Sequence, residues 1–141
     1  MKSRTFHTQS EDDTIALGER LAAELPAKAV VLLIGNLGAG KTTLAKGIVK
    51  GLGAARPDEV SSPTFTLIHE YSPSVYHVDL YRLDSAAQLA TLGLEEIFDR
   101  NAVVLIEWGE KFLARMPEER IEIRLRATGE NSREIEIREP S

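Results

Sequence analysis

The stretch AVVLLIGNLGAGKTTLAKGIVKGLG, residues 29–53, decides the fold because it joins three different patterns. Its first six residues, 29–34, are all apolar and rich in β-branched side chains, which is typical of a strand buried on both faces. A glycine-rich loop follows, and then apolar residues recur at the four-residue spacing of an amphipathic helix, at Leu44, Ile48 and Leu52. The stretch therefore predicts a strand, a glycine loop and a helix in direct succession.

The glycine loop fits a phosphate-binding pattern, G-x-x-x-x-G-K-[ST], through Gly35, Gly40, Lys41 and Thr42. Glycines allow positive φ and bring backbone N–H groups close to an anion, and the helix N-terminus adds partial positive charge at the same point. We expect Lys41 to reach the β- and γ-phosphates of a nucleotide and the Thr42 hydroxyl to ligate Mg²⁺. The other loop residues expected to contact the nucleotide are Leu37, Gly38, Ala39 and Thr43.

Two acidic residues end apolar strands and are candidates for the metal and for catalysis. Phosphoryl transfer needs the metal held from a second side and the attacking group positioned. Glu107 closes AVVLIE, and the alternative is a carboxylate that simply emerges into solvent. Asp79 closes SVYHVD; it could hold a metal-bound water, orient the nucleophilic water, or only cap the following turn.

Other polar and aromatic residues give weaker signals. Thr64, in SSPTFT, could bring a hydroxyl to the γ-phosphate, or could belong to a plain turn around Pro63. His77 is favoured as a packed or hydrogen-bonded histidine. Trp108 could pack over the site or fill the core. Arg82 and Arg100 could approach a phosphate, but a lone arginine is more often a surface charge, so neither is assigned a role.

The rest of the chain predicts one α/β domain, residues 1–141, with a mixed sheet. Ser10 begins a capped helix that Pro26 ends, residues 85–99 carry short helical patterns broken at Gly93, and residues 121–126 alternate between apolar and charged side chains. This alternation, followed by ATGENS and REIEIRE, predicts a half-exposed C-terminal antiparallel hairpin. The expected class is a P-loop NTPase-like three-layer fold.

Composition narrows the function classes. The 141 residues carry a net charge of −5, which argues against binding nucleic acid through the whole surface. No apolar run approaches the ~20 residues of a membrane helix, no apolar signal segment is visible, and the absence of cysteine excludes disulfides and thiolate metal sites. We expect a cytoplasmic protein without membrane contact. The guanine-specific strings N-K-x-D and D-x-x-G do not occur, which favours ATP as the nucleotide.

In these residues the chain resembles the TsaE (YjeE) family. The resemblance spans nearly the whole chain through TIALGERLA, GNLGAGKTTLAKG, SSPTFTLIHEY, YHVDLYRL and VVLIEWGE, and the set SPTFT, HVDLYRL and IEW is specific. It implies a small Mg²⁺-dependent ATPase of the tRNA threonylcarbamoyladenosine pathway that acts on the TsaB–TsaD heterodimer, with tRNA reached only through these partners. ATP turnover would serve the transferase cycle, without performing the transfer.

The resemblance also carries roles onto individual residues. It implies that Lys41 and Thr42 take phosphate and metal, that Glu107 supports the magnesium, and that Asp79 takes part in nucleotide turnover. Thr64 would belong to a switch-like loop, and Thr14 would lie near the adenine. No arginine finger is evident in cis, a group that is worth about 10³–10⁵ in rate, so we expect slow turnover that the partners stimulate.

Two other functions are compatible with a nucleotide loop. A small-molecule kinase needs an acceptor pocket and a lid, and residues 80–106 are short and poor in arginine for that purpose. A nucleotide-gated adaptor would need only binding. Asp79 and Glu107 argue weakly for hydrolysis instead, because both could also serve binding alone through Mg²⁺.

Overall fold

The computed structural model describes residues 2–62 and 67–140, which contain seven strands and four α-helices. The strands are β1 (Lys2–Thr8), β2 (Ala29–Ile34), β3 (Ile68–Ser72), β4 (Val75–Asp79), β5 (Val103–Glu107), β6 (Ile121–Ala127) and β7 (Arg133–Glu139). The helices are α1 (Glu11–Ala22), α2 (Lys41–Gly51), α3 (Ala86–Ala90) and α4 (Leu94–Phe98), and Pro57–Glu59 and Gly109–Arg115 form 3-10 helices. Within these residues no helix is both long and apolar enough to cross a membrane.

The strands form one mixed sheet in the order β1-β7-β6-β2-β5-β4-β3. The four central strands β6, β2, β5 and β4 run parallel. On one side β3 pairs antiparallel with β4; on the other, β7 pairs antiparallel with β6, and β1 pairs antiparallel with β7. In this register Glu107 lies between Leu33 of β2 and Asp79 of β4. The carboxyl ends of β2, β4 and β5 therefore meet at one edge of the sheet, where ligands bind in open α/β folds.

Helices cover both faces of the sheet, so the molecule has three layers, as the sequence predicts. The first core cluster joins α1 and α2 to one face, and the second joins α3, α4 and the 3-10 helix Gly109–Arg115 to the other. Helices α1 and α2 pack closely: a Cβ added to Gly47 would lie 2.0 Å from the carbonyl oxygen of Ile15. This contact fixes α2, and with it the glycine loop that α2 follows.

Most local elements match the sequence prediction, but α1 ends at Ala22, four residues before Pro26, which the sequence predicts to end it, and one burial differs. Ser10 caps α1 by accepting a hydrogen bond from Asp13 N at 3.0 Å, and Gly93 separates α3 from α4 with φ of +70°. The C-terminal hairpin forms as β6 and β7. Glu122, expected on the exposed face of β6, is instead buried, because Arg120 and Arg124 form ion pairs with its two oxygens. Burial of a charge is tolerated when it is paired in this way.

Candidate functional site

A cleft of about 470 Å³ opens at the carboxyl ends of β2, β4 and β5. It brings together most of the residues that the sequence singles out: Thr14, Leu37, Gly38, Gly40, Lys41, Thr42, Thr43, Asp79 and Glu107. Ala39 does not line it and is buried beneath the loop, and Thr64 lies outside the described residues. The lining that sequence reasoning missed consists of Glu11, Ser62, Tyr81, Asn131 and Arg133, with Trp108 left open between site and core.

The glycine loop takes a backbone shape that side chains disfavour. Gly38 and Gly40 have φ of +79° and +99°, in the left-handed region where glycine is at ease. Gly40 is the N-cap of α2 and offers no side chain to the first helical N–H groups. The helix N-terminus therefore borders the cleft with backbone donors and a positive dipole end, which suits an anion.

Lys41 supplies a buried cation to the cleft. Its side chain is 5% exposed, and its Nζ is buried without a hydrogen-bond partner among the described residues. The ammonium lies 3.5 Å from the centroid of the Trp108 ring, in a cation–π contact. Burial lowers the pKa of Lys41 from its ordinary value, and the carboxylates of Glu107, Glu110 and Asp79 oppose that shift. An incoming phosphate would supply the acceptor that this ammonium lacks.

Glu107 is held in the cleft by two side chains. The Thr42 hydroxyl donates to its Oε2 at 3.1 Å and its Oε1 at 3.3 Å, and His77 Nε2 lies 2.7 Å from Oε2. Glu107 is 3% exposed, so the alternative of a carboxylate emerging into solvent is wrong. His77 is fully buried and hydrogen-bonded, as the sequence favours. A hydroxyl and a carboxylate in contact are the hard oxygen ligands that Mg²⁺ prefers.

Asp79 stands beside Glu107 but its oxygens already have protein partners. Oδ1 accepts the backbone N–H of Tyr81 at 2.8 Å, and Oδ2 accepts the hydroxyl of Ser62. The carboxylate therefore caps the turn after β4, one of the alternatives open from the sequence, and it also lines the cleft. Through Ser62 it is joined to the chain that leads into the segment of Thr64.

Trp108 and Thr14 border the cleft in different ways. Trp108 has φ of +66°, unusual for a bulky residue, and its ring contacts Lys41 and Tyr81, so it packs over the site. The Thr14 hydroxyl contacts that of Thr8 at 2.8 Å and the Ser10 carbonyl oxygen at 3.2 Å. Thr14 therefore shapes the cleft wall as a packed residue.

The remaining polar residues divide into those near the loop and those away from it. Arg133 lines the cleft and hydrogen-bonds the glycine loop, although no motif in the hairpin marks it. Arg100 donates instead to the Tyr76 hydroxyl, and neither Arg100 nor Arg82 lines the cleft. No group of three or more His, Cys, Asp or Glu side chains within residues 2–62 and 67–140 could hold a metal. A magnesium ion held by Thr42 and Glu107 would therefore take its remaining oxygen ligands from a nucleotide and water, as is usual for Mg²⁺.

Comparison with known proteins identifies the family. Residues 8–135 match the model of the family described as "Threonylcarbamoyl adenosine biosynthesis protein TsaE". The "tRNA threonylcarbamoyladenosine biosynthesis protein TsaE" of Bacillus subtilis is 40% identical over 138 residues, which are 96% of this chain and 85% of that protein. Its counterpart in Treponema pallidum is 38% identical over 132 residues, 92% of this chain and 96% of that one.

A solved structure agrees with this result. The crystal structure of YdiB from Bacillus subtilis superposes with a TM-score of 0.78 at 34% identity, covering 96% of this chain and 84% of that one. The family match covers most of the chain, including the glycine loop, both strand-end carboxylates and the first part of the hairpin, as far as residue 135. The chain belongs to the TsaE family.

Proposed function

We propose that this protein is a Mg²⁺-dependent ATPase that serves tRNA threonylcarbamoyladenosine biosynthesis by acting on the TsaB–TsaD heterodimer. The observation that carries the ATPase proposal is the buried Lys41 ammonium, which has no hydrogen-bond acceptor among the described residues and stands at the end of a positive-φ glycine loop. A buried cation without an acceptor is costly, and a nucleotide phosphate would satisfy it. The pathway proposal rests on the TsaE family and on the names of its members.

Each side chain of the cleft has a proposed part in binding and turnover. Lys41 and the N-terminus of α2 would bind the phosphates, and Thr42 and Glu107 would hold the metal. Magnesium would neutralise charge on the phosphate oxygens. His77 would keep the Glu107 carboxylate in place through its 2.7 Å contact. Asp79 would position the attacking water from the neighbouring strand end.

The partner and the compartment follow from the pathway. The net charge of −5 does not suit direct binding of tRNA, so tRNA would be reached only through TsaB–TsaD. Within the described part of the chain the cleft contains no arginine directed into it as an arginine finger would be: Arg133, the guanidinium that lines it, is bonded to backbone carbonyls. Turnover by the protein alone would therefore be slow, and the partners would accelerate it. We place the protein in the cytoplasm.

The test is ATP hydrolysis by the purified protein alone and with the TsaB–TsaD heterodimer, with Lys41→Ala as the control. Slow turnover that rises with the partners and disappears in the variant is the expected result. Turnover that is the same with and without partners at saturating ATP would contradict the pathway assignment while leaving the nucleotide site in place. Absence of any Lys41-dependent turnover would contradict the ATPase itself.

One observation favours a second function, a nucleotide-gated adaptor that binds ATP without hydrolysing it. Both oxygens of Asp79 accept hydrogen bonds from the protein, which suits a turn cap as well as a catalytic group. Glu107→Ala separates the two functions. Loss of partner-stimulated turnover with partner binding intact would exclude the adaptor, whereas assembly that depends on ATP without any turnover would support it.

A further inference from the structure

The C-terminal hairpin reaches the glycine loop through one side chain, Arg133. Its Nε donates to the carbonyl oxygen of Ala39 at 2.9 Å, and one of its terminal nitrogens donates to that of Gly38 at 3.1 Å. The other terminal nitrogen is directed at three carbonyls of the hairpin turn, at 2.8 Å for Ser132 and 3.3 Å for Gly129 and Glu130. The guanidinium thus joins the glycine loop to the hairpin turn, and Arg133 lies 94 residues after Ala39 in the chain.

These contacts fix the orientation of two consecutive peptide planes in the loop. A trans peptide is planar, so its C=O and the N–H of the next residue point in opposite directions. Holding the Ala39 carbonyl also fixes the N–H of Gly40, the N-cap residue of α2. Holding the Gly38 carbonyl does the same for the N–H of Ala39, which donates to Asn36 O at 3.0 Å. Gly38 and Gly40, both at positive φ, have no Cβ to restrict the backbone on either side of Ala39.

Arg133 stands on a rigid support. It begins β7, and its backbone pairs with Thr8 of β1 on one side and Ala127 of β6 on the other. Its side chain also packs over the loop, because a Cβ added to Gly40 would lie 3.4 Å from Arg133 Nε. Groups built on paired strands hold a site more precisely than groups on free loops.

From this geometry we propose that Arg133 is a positioning residue for the nucleotide: it holds the glycine loop in its binding shape before the ligand arrives. The inference deepens the proposed function, on which it rests. The guanidinium of Arg133 acts through its planar set of N–H donors and not through its charge alone, because it must hold the carbonyls of Gly38 and Ala39 at the same time. A lysine keeps the charge but not the planar fork.

The test compares ATP and ADP binding, measured by calorimetry with Mg²⁺, in wild type, Arg133→Met, Arg133→Lys and Arg126→Met. Arg126 is a matched control, since it lies on the same hairpin, and among the described residues its guanidinium pairs with Glu134 alone, in an exposed ion pair. We expect Arg133→Met and Arg133→Lys both to weaken ATP and ADP by roughly 10-fold, equivalent to about 1.4 kcal/mol. Equal factors are expected because the loop backbone cradles the phosphates that the two nucleotides share. Arg126→Met should bind as wild type.

The outcomes separate positioning from other roles. Wild-type affinity in Arg133→Met overturns the proposal, and so does a lysine variant that binds as tightly as wild type, since charge alone would then suffice. A melting temperature that falls in both Arg133 variants without nucleotide, while their ATP and ADP affinities stay unchanged, would show that Arg133 is merely structural. That result also overturns the proposal. If Arg133→Met does not fold, Arg133→Lys decides by the same criteria. If wild type itself binds no nucleotide, the proposed function fails before Arg133 is tested.

Discussion

Replacing Lys41 by methionine should stabilise the protein in the absence of nucleotide while abolishing the proposed ATPase activity. The wild-type ammonium is buried, has no hydrogen-bond acceptor within the described residues, and is compensated by the Trp108 ring and by nearby carboxylates. Methionine keeps an unbranched stem of similar length and places a thioether against the same ring, a favourable contact. The variant therefore removes an electrostatic cost that the protein offsets only in part and that the proposed nucleotide phosphate would offset further.

The expected magnitude follows from opposing contributions. A buried donor left without a partner costs about 1–3 kcal/mol, and the cation–π contact returns as much as about 2 kcal/mol. A sulfur–aromatic contact adds about 0.3–1.5 kcal/mol to the variant. We expect Lys41→Met to raise the free energy of unfolding by about 1–2 kcal/mol, which is roughly 3–8 °C in melting temperature for a chain of this size.

The effect should depend on pH in a defined direction. Burial lowers the pKa of Lys41 in the folded state, so the folded protein loses this proton at lower pH than the unfolded chain does. Between the folded-state and the unfolded-state pKa of Lys41, the unfolded chain binds more protons than the folded protein. In this pH range the stability of the wild type therefore rises with pH relative to that of the variant. The free energy of unfolding of Lys41→Met should therefore exceed that of wild type most at neutral pH. The difference should become smaller as the pH rises toward 10.5, the ordinary pKa of lysine.

The assay is thermal unfolding followed by circular dichroism without nucleotide, then with saturating Mg-ATP. The control is Lys50→Met on the same helix, which removes an exposed ion pair with Glu19 and should leave stability unchanged or lower it by less than about 1 kcal/mol. ATP should stabilise wild type and Lys50→Met but not Lys41→Met. A Lys41→Met protein that is less stable than wild type, or that ATP still stabilises, would refute the reasoning.

Three further variants test other contacts. Gly47→Ala should destabilise the protein by about 3 kcal/mol, measured by urea unfolding, because its Cβ would lie 2.0 Å from Ile15 O; wild-type stability would mean that α1 and α2 can separate cheaply. Burial raises the pKa of Glu110 above 4.5, so the stability that its protonated form contributes is lost as the pH rises. The melting temperature of Glu110→Gln should therefore rise relative to that of wild type between pH 4 and 7. A difference in melting temperature that does not change with pH would contradict this. Lys111→Met should lower the free energy of unfolding by about 1 kcal/mol, since its ammonium donates to the Tyr81 and Leu83 carbonyls at 2.8 and 2.6 Å; an unchanged urea midpoint would show that these bonds contribute nothing.

The sequence predicts those parts of the site that follow from local pattern. The glycine loop is contiguous, and Glu107 and Asp79 each end an apolar strand, so parallel pairing alone brings the two carboxylates together. The three-layer class follows in the same way from strands without exposed faces. The role assigned to Thr64 stays a prediction, because that residue lies outside the described part of the chain.

The rest of the site depends on contacts that no local pattern encodes. Arg133 and Lys111 donate to backbone carbonyls of distant loops, and a carbonyl acceptor leaves no trace in residue identity. The position of Arg133 in an alternating charged strand indicates only a solvent-facing side chain. The prediction that Glu122 is exposed is wrong because its burial depends on the conformations of Arg120 and Arg124. The alternating pattern does not show whether these two side chains pair with Glu122 or point into solvent.

Several groups in and beside the cleft are held in costly arrangements, and this has a physical consequence. Lys41 is buried without an acceptor, Trp108 takes a positive φ, and a buried oxygen of Glu110 lacks a hydrogen-bond partner within residues 2–62 and 67–140. Such costs persist only where the surrounding structure enforces them. A ligand that satisfies Lys41 gains the phosphate contact and also relieves a cost that the folded protein already bears. Under the proposed function, binding energy and stability are therefore coupled, so variants that relieve these costs should bind nucleotide more weakly.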